Sequence, residues 1–181
     1  SNINLTQNGC TTNDKNDLAK LRWATGNLKS TGSTNYIWAP SQTEIGYYYA
    51  FNKLYNGSTG DPCSKLNTAY YGTGWRTPSK NELEKLSRCT DKVFTNNGMW
   101  FMNKSLGVFL KAGGVRQESG SGTNGATYTD HGCYWTSTIG TSKNAYNMEF
   151  WNTEAHVNNT SSWFGLQTNG LLIRCVKGTK Q

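Results

Sequence analysis

No apolar stretch in this chain of 181 residues approaches the roughly 20 that a membrane helix needs, so the sequence offers no membrane span. Basic residues never run four or more together, although Lys and Arg number 18 against 11 Asp and Glu. Nucleic-acid sites cluster their cations on one face or helix. Scattered cations giving a net +7 read instead as a solvated, charged surface with weak attraction to acidic glycans. No nucleic-acid partner is expected. The five Cys include no Cys-x-x-Cys pair, and the two His, His131 and His156, stand far apart in the chain. Zinc-site spacing is therefore missing, and neither a metal nor a cofactor is expected. No signal-peptide pattern is visible and the first residue is not Met, which reads as a mature or trimmed form. Aliphatic residues are sparse, and neither an internal repeat nor a second-domain boundary is apparent.

What is present is aromatic and polar. Seven Trp, ten Tyr and six Phe predict an aromatic-rich core and argue against disorder. The length suits about one domain with a real core. The 21 Asn, 23 Thr, 15 Ser and 20 Gly predict turns and short strands rather than long helices. Five Cys in such a chain point to an oxidising compartment and hence to export.

Residues 1–19 are polar and read as a flexible leader, and 20–181 as a single domain. Residues 20–38 read as a hairpin, with Leu21 and Trp23 alternating, turn-prone residues at Gly26-Asn27 and 30–35, and strand-prone Tyr36-Ile37-Trp38. Residues 41–56 are ambiguous: Ser41 and Glu44 suit a helix cap, whereas Gly46 and three consecutive Tyr oppose one. Residues 56–63 read as a loop. A helix is predicted over 79–90, where Ser79 and Glu82 form a capping box, Leu83 and Leu86 face inward, and Glu84 and Arg88 make an i,i+4 pair. The remaining half reads as all-β, with strands at 99–103, 108–111, 134–138, 145–151 and 171–177 and a mobile surface loop at 117–129.

Several phrases come in a recognisable order. They are Trp23-Ala24-Thr25-Gly26-Asn27-Leu28, Gly46-Tyr47-Tyr48-Tyr49-Ala50-Phe51, and Gly74-Trp75-Arg76-Thr77-Pro78-Ser79 with its acidic helix. Then follow Gly107-Val108-Phe109-Leu110-Lys111-Ala112-Gly113-Gly114-Val115-Arg116, Tyr134-Trp135-Thr136-Ser137-Thr138 and Ile173-Arg174-Cys175-Val176-Lys177. From about residue 20 to 177 this order resembles the Fibrobacter succinogenes major paralogous (FISUMP) domain. Lys111, Val115 and Thr77 depart from it, standing where that family has Pro, Tyr and Leu. The resemblance implies an α+β, C-type-lectin-like fold in an exported surface protein of Bacteroidetes-like bacteria, with no established catalytic group. It also implies a disulfide between Cys63, before the helix, and Cys175, in the final strand. Cys10, Cys89 and Cys133 then leave an odd thiol, and their pairing stays open; a second bridge, if present, is assigned to Cys10–Cys89, with Cys133 a small core residue.

Three chemistries bear on the second half. A catalytic Cys133 needs a base, and His131 and His156 read more simply as surface residues, so no catalytic residue is assigned. Glu149 and Glu154 carry no sign of acid–base tuning in the sequence. Calcium lectins use Glu-Pro-Asn or Gln-Pro-Asp with Trp-Asn-Asp; only Trp151-Asn152-Thr153 echoes these, and no metal ligand is assigned. The third chemistry is binding. The resemblance directs Ala145, Met148 and Phe150 to the core. Asn144, Tyr146, Asn147, Glu149, Trp151, Asn152, His156, Asn158, Asn159 and Trp163 are left for a ligand face, where rigid aromatics beside amides suit glycan or protein contact. The competing reading makes Trp151 and Trp163 core and the Asn turn formers. The segment also resembles the variable region of retroelement-diversified proteins. The expected function is a non-enzymatic binding or adhesion module. The alternatives are a component of a larger fimbria-like surface assembly and, last, an enzyme of the formylglycine-generating type.

Overall fold

The computed structural model describes residues 9–158 and 162–181, a small α+β protein of short antiparallel strands in several small sheets with few helices. Helix α1 spans Thr12–Ala19, α2 spans Thr68–Tyr71 and α3 spans Lys80–Arg88. The α3 capping box forms as the sequence predicts: Glu82 N donates to Ser79 Oγ at 3.2 Å and Ser79 N to Glu82 Oε2 at 2.7 Å. Helix α1 corrects the flexible leader over residues 12–19. Thr11 and Asp14 make a second capping box, Leu18 is buried, and a Cys10–Cys89 disulfide ties the segment to the end of α3. Residues 1–8 lie outside the described residues. The Glu84–Arg88 pair is also corrected. Glu84 pairs back to Lys80 at 3.5 Å, and Arg88 turns to Asp14 at 4.0 Å, a partner that exists only because α1 packs there.

Among the described residues eleven strands are formed, numbered in chain order. They are β1 Arg22–Trp23, β2 Leu28–Ser30, β3 Tyr36–Trp38, β4 Trp75–Arg76, β5 Asp91–Phe94, β6 Gly98–Met102, β7 Gly107–Lys111, β8 Gly132–Ile139, β9 Ala145–Trp151, β10 Glu154–Asn158 and β11 Val176–Lys177. The sheets run β1-β11-β4, β8-β9-β10, β2-β3 and β5-β6-β7. The hairpin expected over 20–38 is thus only β2-β3, since β1 pairs with β11 instead. The strand expected at 171–177 shortens to β11, while Leu171 and Leu172 make single bridges to Tyr49 and Tyr134. Strands β5 and β10 were not anticipated. The irregular segment 117–129 is pinned at Gly122, which exchanges backbone hydrogen bonds with Tyr48 at 2.9 and 3.0 Å.

Strands β8 and β9 carry core on both faces. Tyr134, Met148 and Phe150 join Leu83, Leu86, Phe101 and Leu110 on one side. Cys133, Trp135 and Ala145 join Tyr49, Trp75, Leu171 and Ile173 on the other. The core is aromatic-rich as expected, with Trp135, Tyr49 and Tyr134 among its largest fully buried side chains. Cys63 is bonded to Cys175 across 112 residues, closing the second cluster, and Cys133 is a buried free thiol. Among the described residues no helix is long and apolar enough to cross a membrane.

Glu82 organises the meeting of α3 with the last residues described. Arg76 holds its carboxylate with two N–H groups at 2.8 and 2.6 Å, and Gln181 N adds a third contact at 3.1 Å. Burial alone would raise the Glu82 pKa. The Arg76 guanidinium and the Ser79 and Gln181 amides outweigh burial and hold it below its ordinary 4.5.

Candidate ligand-binding face

Alternation along β9 places Ala145, Asn147, Glu149 and Trp151 on one face and Tyr146, Met148 and Phe150 on the other. Pairing extends the first face sideways. Cys133 on β8 and His156 on β10 oppose Glu149, while Asn158 opposes Asn147 and Glu154 opposes Trp151. The strip runs from covered to open. The 3₁₀ turn Trp163–Gly165 lies over its inner end, and Gly165 permits this: an added Cβ there would sit 2.6 Å from Ala145 O and 3.2 Å from Asn147 Oδ1. Beyond the turn the strip opens at Glu149 and Trp151.

Aromatic rings gather at the open end. His131 stacks on Trp151 with centroids 5.4 Å apart and planes 5° apart. Tyr128 meets His131, Trp163 and Phe164 edge-on at 6.0, 5.9 and 5.8 Å. Trp151 and Tyr128 are each 53% exposed and Trp163 41%, although all three side chains are large and apolar. Polar groups line the middle of the strip. Asn158 Nδ2 donates to Glu149 Oε2 at 2.8 Å; His156 Nε2 lies 3.8 Å from the same oxygen and His131 Nε2 3.9 Å from Oε1. Asp130 Oδ1 meets His131 Nδ1 at 2.9 Å, and that contact outweighs the opposing effect of slight desolvation and holds the Asp130 pKa below its ordinary value.

Of the residues singled out from sequence, the fold brings Glu149, Trp151, His156, Asn158 and Trp163 to this face. Four others do not reach its open surface. Tyr146 points to the opposite side of β9, where Lys80 Nζ lies 4.6 Å from its ring centroid. Asn147 is fully buried, because this half of the face lies under the 3₁₀ turn. Asn144 Nδ2 donates to Ser162 O at 3.0 Å and so anchors that turn. Asn152 occupies the two-residue β9–β10 turn at φ 53°, a left-handed conformation that Asn tolerates. Asn159 lies outside the described residues. The expected core trio of Ala145, Met148 and Phe150 is buried, but split between two clusters rather than shared by one.

Tyr128, Asp130, His131 and Phe164 were not assigned to the face from sequence. His131 was legible in principle: two residues before Cys133, it continues the same face of β8. Tyr128 and Phe164 were not, because irregular chain brings them in, Tyr128 at φ 54°.

Other chemistry is spoken for. Burial, and then the Glu149 charge, push the Cys133 thiol well above its ordinary value, so its sulfur is held as the thiol and not the nucleophilic thiolate. A hollow lined by Phe51, Asn52, Asp61, Thr77, Trp135 and Ser137 lies away from this face. Its Asp61 carboxylate is engaged by Thr77 N, Thr77 Oγ1 and Cys63 N at 2.8, 2.7 and 3.0 Å. Among the described residues no three His, Cys, Asp or Glu are grouped to hold a metal ion. No family model, no curated protein and no solved structure matches the chain.

Proposed function

We propose that this protein is an exported, non-enzymatic binding module of C-type-lectin-like, FISUMP-related architecture, and that it recognises a glycan or protein at a cell surface through the face around Trp151. The observation that carries this reading is the group of exposed rings, Tyr128, Trp151 and Trp163, beside the Glu149, His156 and Asn158 side chains. Exposed aromatic clusters edged by hydrogen-bonding groups are what ligand and partner sites are built from. Two disulfides suit an oxidising, extracellular setting. The Cys63–Cys175 bridge, joining a segment before α3 to the chain just ahead of β11, supports the lectin-like resemblance. The buried Cys133 thiol, with the other four cysteines bonded, supports a non-catalytic role.

A specific observation favours the assembly reading as second. The outer face of β5-β6-β7 exposes Val93 and Met102 beside half-buried Trp100, an apolar surface suited to a neighbouring subunit. Glycan-array binding of the intact protein, compared with a Trp151→Ala variant of equal folded fraction, tests the first reading. Loss of signal in the variant is expected; binding that ignores Trp151 but vanishes with Val93→Ser/Met102→Ser would move the site to the second surface.

A further inference from the structure

The charge around Trp151 runs against the charge of the molecule. The chain carries +7, yet three of its 11 carboxylates surround this ring. Asp130 is bonded to the His131 that stacks on it, Glu149 lies two residues back on the same face, and Glu154 is its cross-strand partner. Among the described residues, none of the three forms an ion pair with Lys or Arg, and the ion-pair contacts of Asp130 and Glu149 are with histidines alone. By contrast Asp14, Asp17, Glu44, Glu82 and Glu84 each meet a Lys or Arg. A second, independent feature lies at the inner end of the strip. The Asn147 side chain is fully buried, and among the described residues neither its Nδ2 nor its Oδ1 has a hydrogen-bond partner. A buried amide left unsatisfied in this way is a place where a bridging water enters beneath the turn and completes the polar lining of the strip.

Building on the binding function proposed above, we infer that the ligand is a saccharide carrying free amino groups, bound as ammonium. The flat face of Trp151 accepts the C–H face of a sugar ring, and an ammonium near that indole gains a cation–π interaction. Glu149 accepts a hydrogen bond from the same ammonium and pairs with its charge, whereas a neutral acetamide or hydroxyl donates to the carboxylate without bringing a counter-charge. The net positive charge favours acidic glycans at long range. At about 0.15 M salt that attraction is screened beyond about 8 Å, so the carboxylates within the face decide the sign of the ligand.

The test is an amide and indole NMR titration of the intact protein at about 0.15 M salt, the condition that sets the screening length above. Three tetrasaccharide probes are compared: one of glucosamine, one of N-acetylglucosamine and one of a uronic acid. The free-amine tetramer is expected to shift the Trp151 indole and the His131 and Tyr128 amides, and to bind about tenfold tighter than the acetylated one. Glu149→Gln should abolish that advantage and retain binding of the acetylated tetramer, while Trp151→Ala weakens both. If Glu149→Gln does not fold, the Asp130→Asn/Glu154→Gln pair should lower the advantage in the same direction. Equal binding of the free-amine and acetylated tetramers, or tightest binding of the uronate, overturns the inference and leaves the binding face standing. Failure of every probe to move Trp151 removes the glycan reading itself. Tetralysine binding as tightly as the glucosamine tetramer, with no dependence on Trp151, would reduce the effect to charge alone and overturn the assignment to a saccharide.

Discussion

Glu82 and Glu149 are both carboxylates drawn mostly out of solvent, and the fold treats them differently. Glu82 receives two N–H groups from Arg76, one from Ser79 and one from Gln181. Those four donors fill the accepting capacity of a carboxylate, about four lone-pair sites. Among the described residues, Glu149 receives one short hydrogen bond, from Asn158, with two imidazoles standing off at 3.8 and 3.9 Å. The first group has its demand met by its own chain and acts as a structural joint. The second retains capacity beside exposed rings, the condition a binding site requires. The comparison teaches that the two regions should respond oppositely to damage: the Glu82 side in stability, the Glu149 side in recognition.

The largest effect should come from the covalent tie on the structural side. Removing Cys63–Cys175 by a Cys63→Ala/Cys175→Ala variant releases a loop of 112 residues. The chain-entropy model assigns such a loop about 4–5 kcal/mol. Urea unfolding should show that loss, and a change below about 1 kcal/mol would place the stability of this region in its packing instead.

Next is the joint itself. Glu82→Gln leaves Arg76 without its counter-ion and should cost about 3 kcal/mol, since removing one partner of a buried pair strands the other. Glu149→Gln should stay within about 0.5 kcal/mol in the same assay. The pH dependence has a definite sign. The folded Glu82 pKa is depressed below 4.5, so its contribution is present above that value and is lost as pH falls through the lower folded value. Asp14 and Asp17 are depressed too and add in the same direction. Melting temperature followed downward from pH 5 should fall more steeply in the parent protein than in Glu82→Gln. Parallel curves would mean that Glu82 is not the group responsible.

How much of this was legible beforehand divides along the same line. The Ser79/Glu82 capping box and the central strands β6 to β9 follow from local patterns, and the Cys63–Cys175 bridge from the resemblance carried by the order of motifs; the pairing of Cys10, Cys89 and Cys133 stayed open, because five Cys permit many pairings. Helix α1 was missed because its Thr11/Asp14 capping box lies in a segment otherwise read as polar leader, and what fixes it, the bridge to Cys89, is remote. On the binding side, Trp151, Glu149 and His156 were what remained exposed once the resemblance directed Ala145, Met148 and Phe150 to the core. Tyr146 and Asn147 were misplaced for a different reason. Strand β9 is covered on both faces at its inner end, so alternation there separates two interiors and not inside from outside. Tyr128 and Phe164 reach the face by irregular chain, which carries no period to read.

The smallest expected effect on stability is the one that tests the comparison most directly. Trp135 and Trp151 lie on the same face of one sheet, on β8 and β9. Trp135 is fully buried and donates from Nε1 to Tyr49 O at 2.6 Å, so Trp135→Ala should cost about 3–5 kcal/mol, as truncating a buried Trp does. Trp151 is 53% exposed, and among the described residues its one ring contact is the stack on His131. Losing that stack and half an indole's burial should cost under about 1 kcal/mol. Removing the same ring from a ligand should cost about 1–3 kcal/mol of binding, the range of an interface anchor. Thermal melts of both variants, run beside binding to any probe that shifts the Trp151 indole, separate the two roles. Should Trp151→Ala melt as low as Trp135→Ala, with binding reduced only in step with the folded fraction, Trp151 belongs to the core and the open end of the strip is not a ligand face.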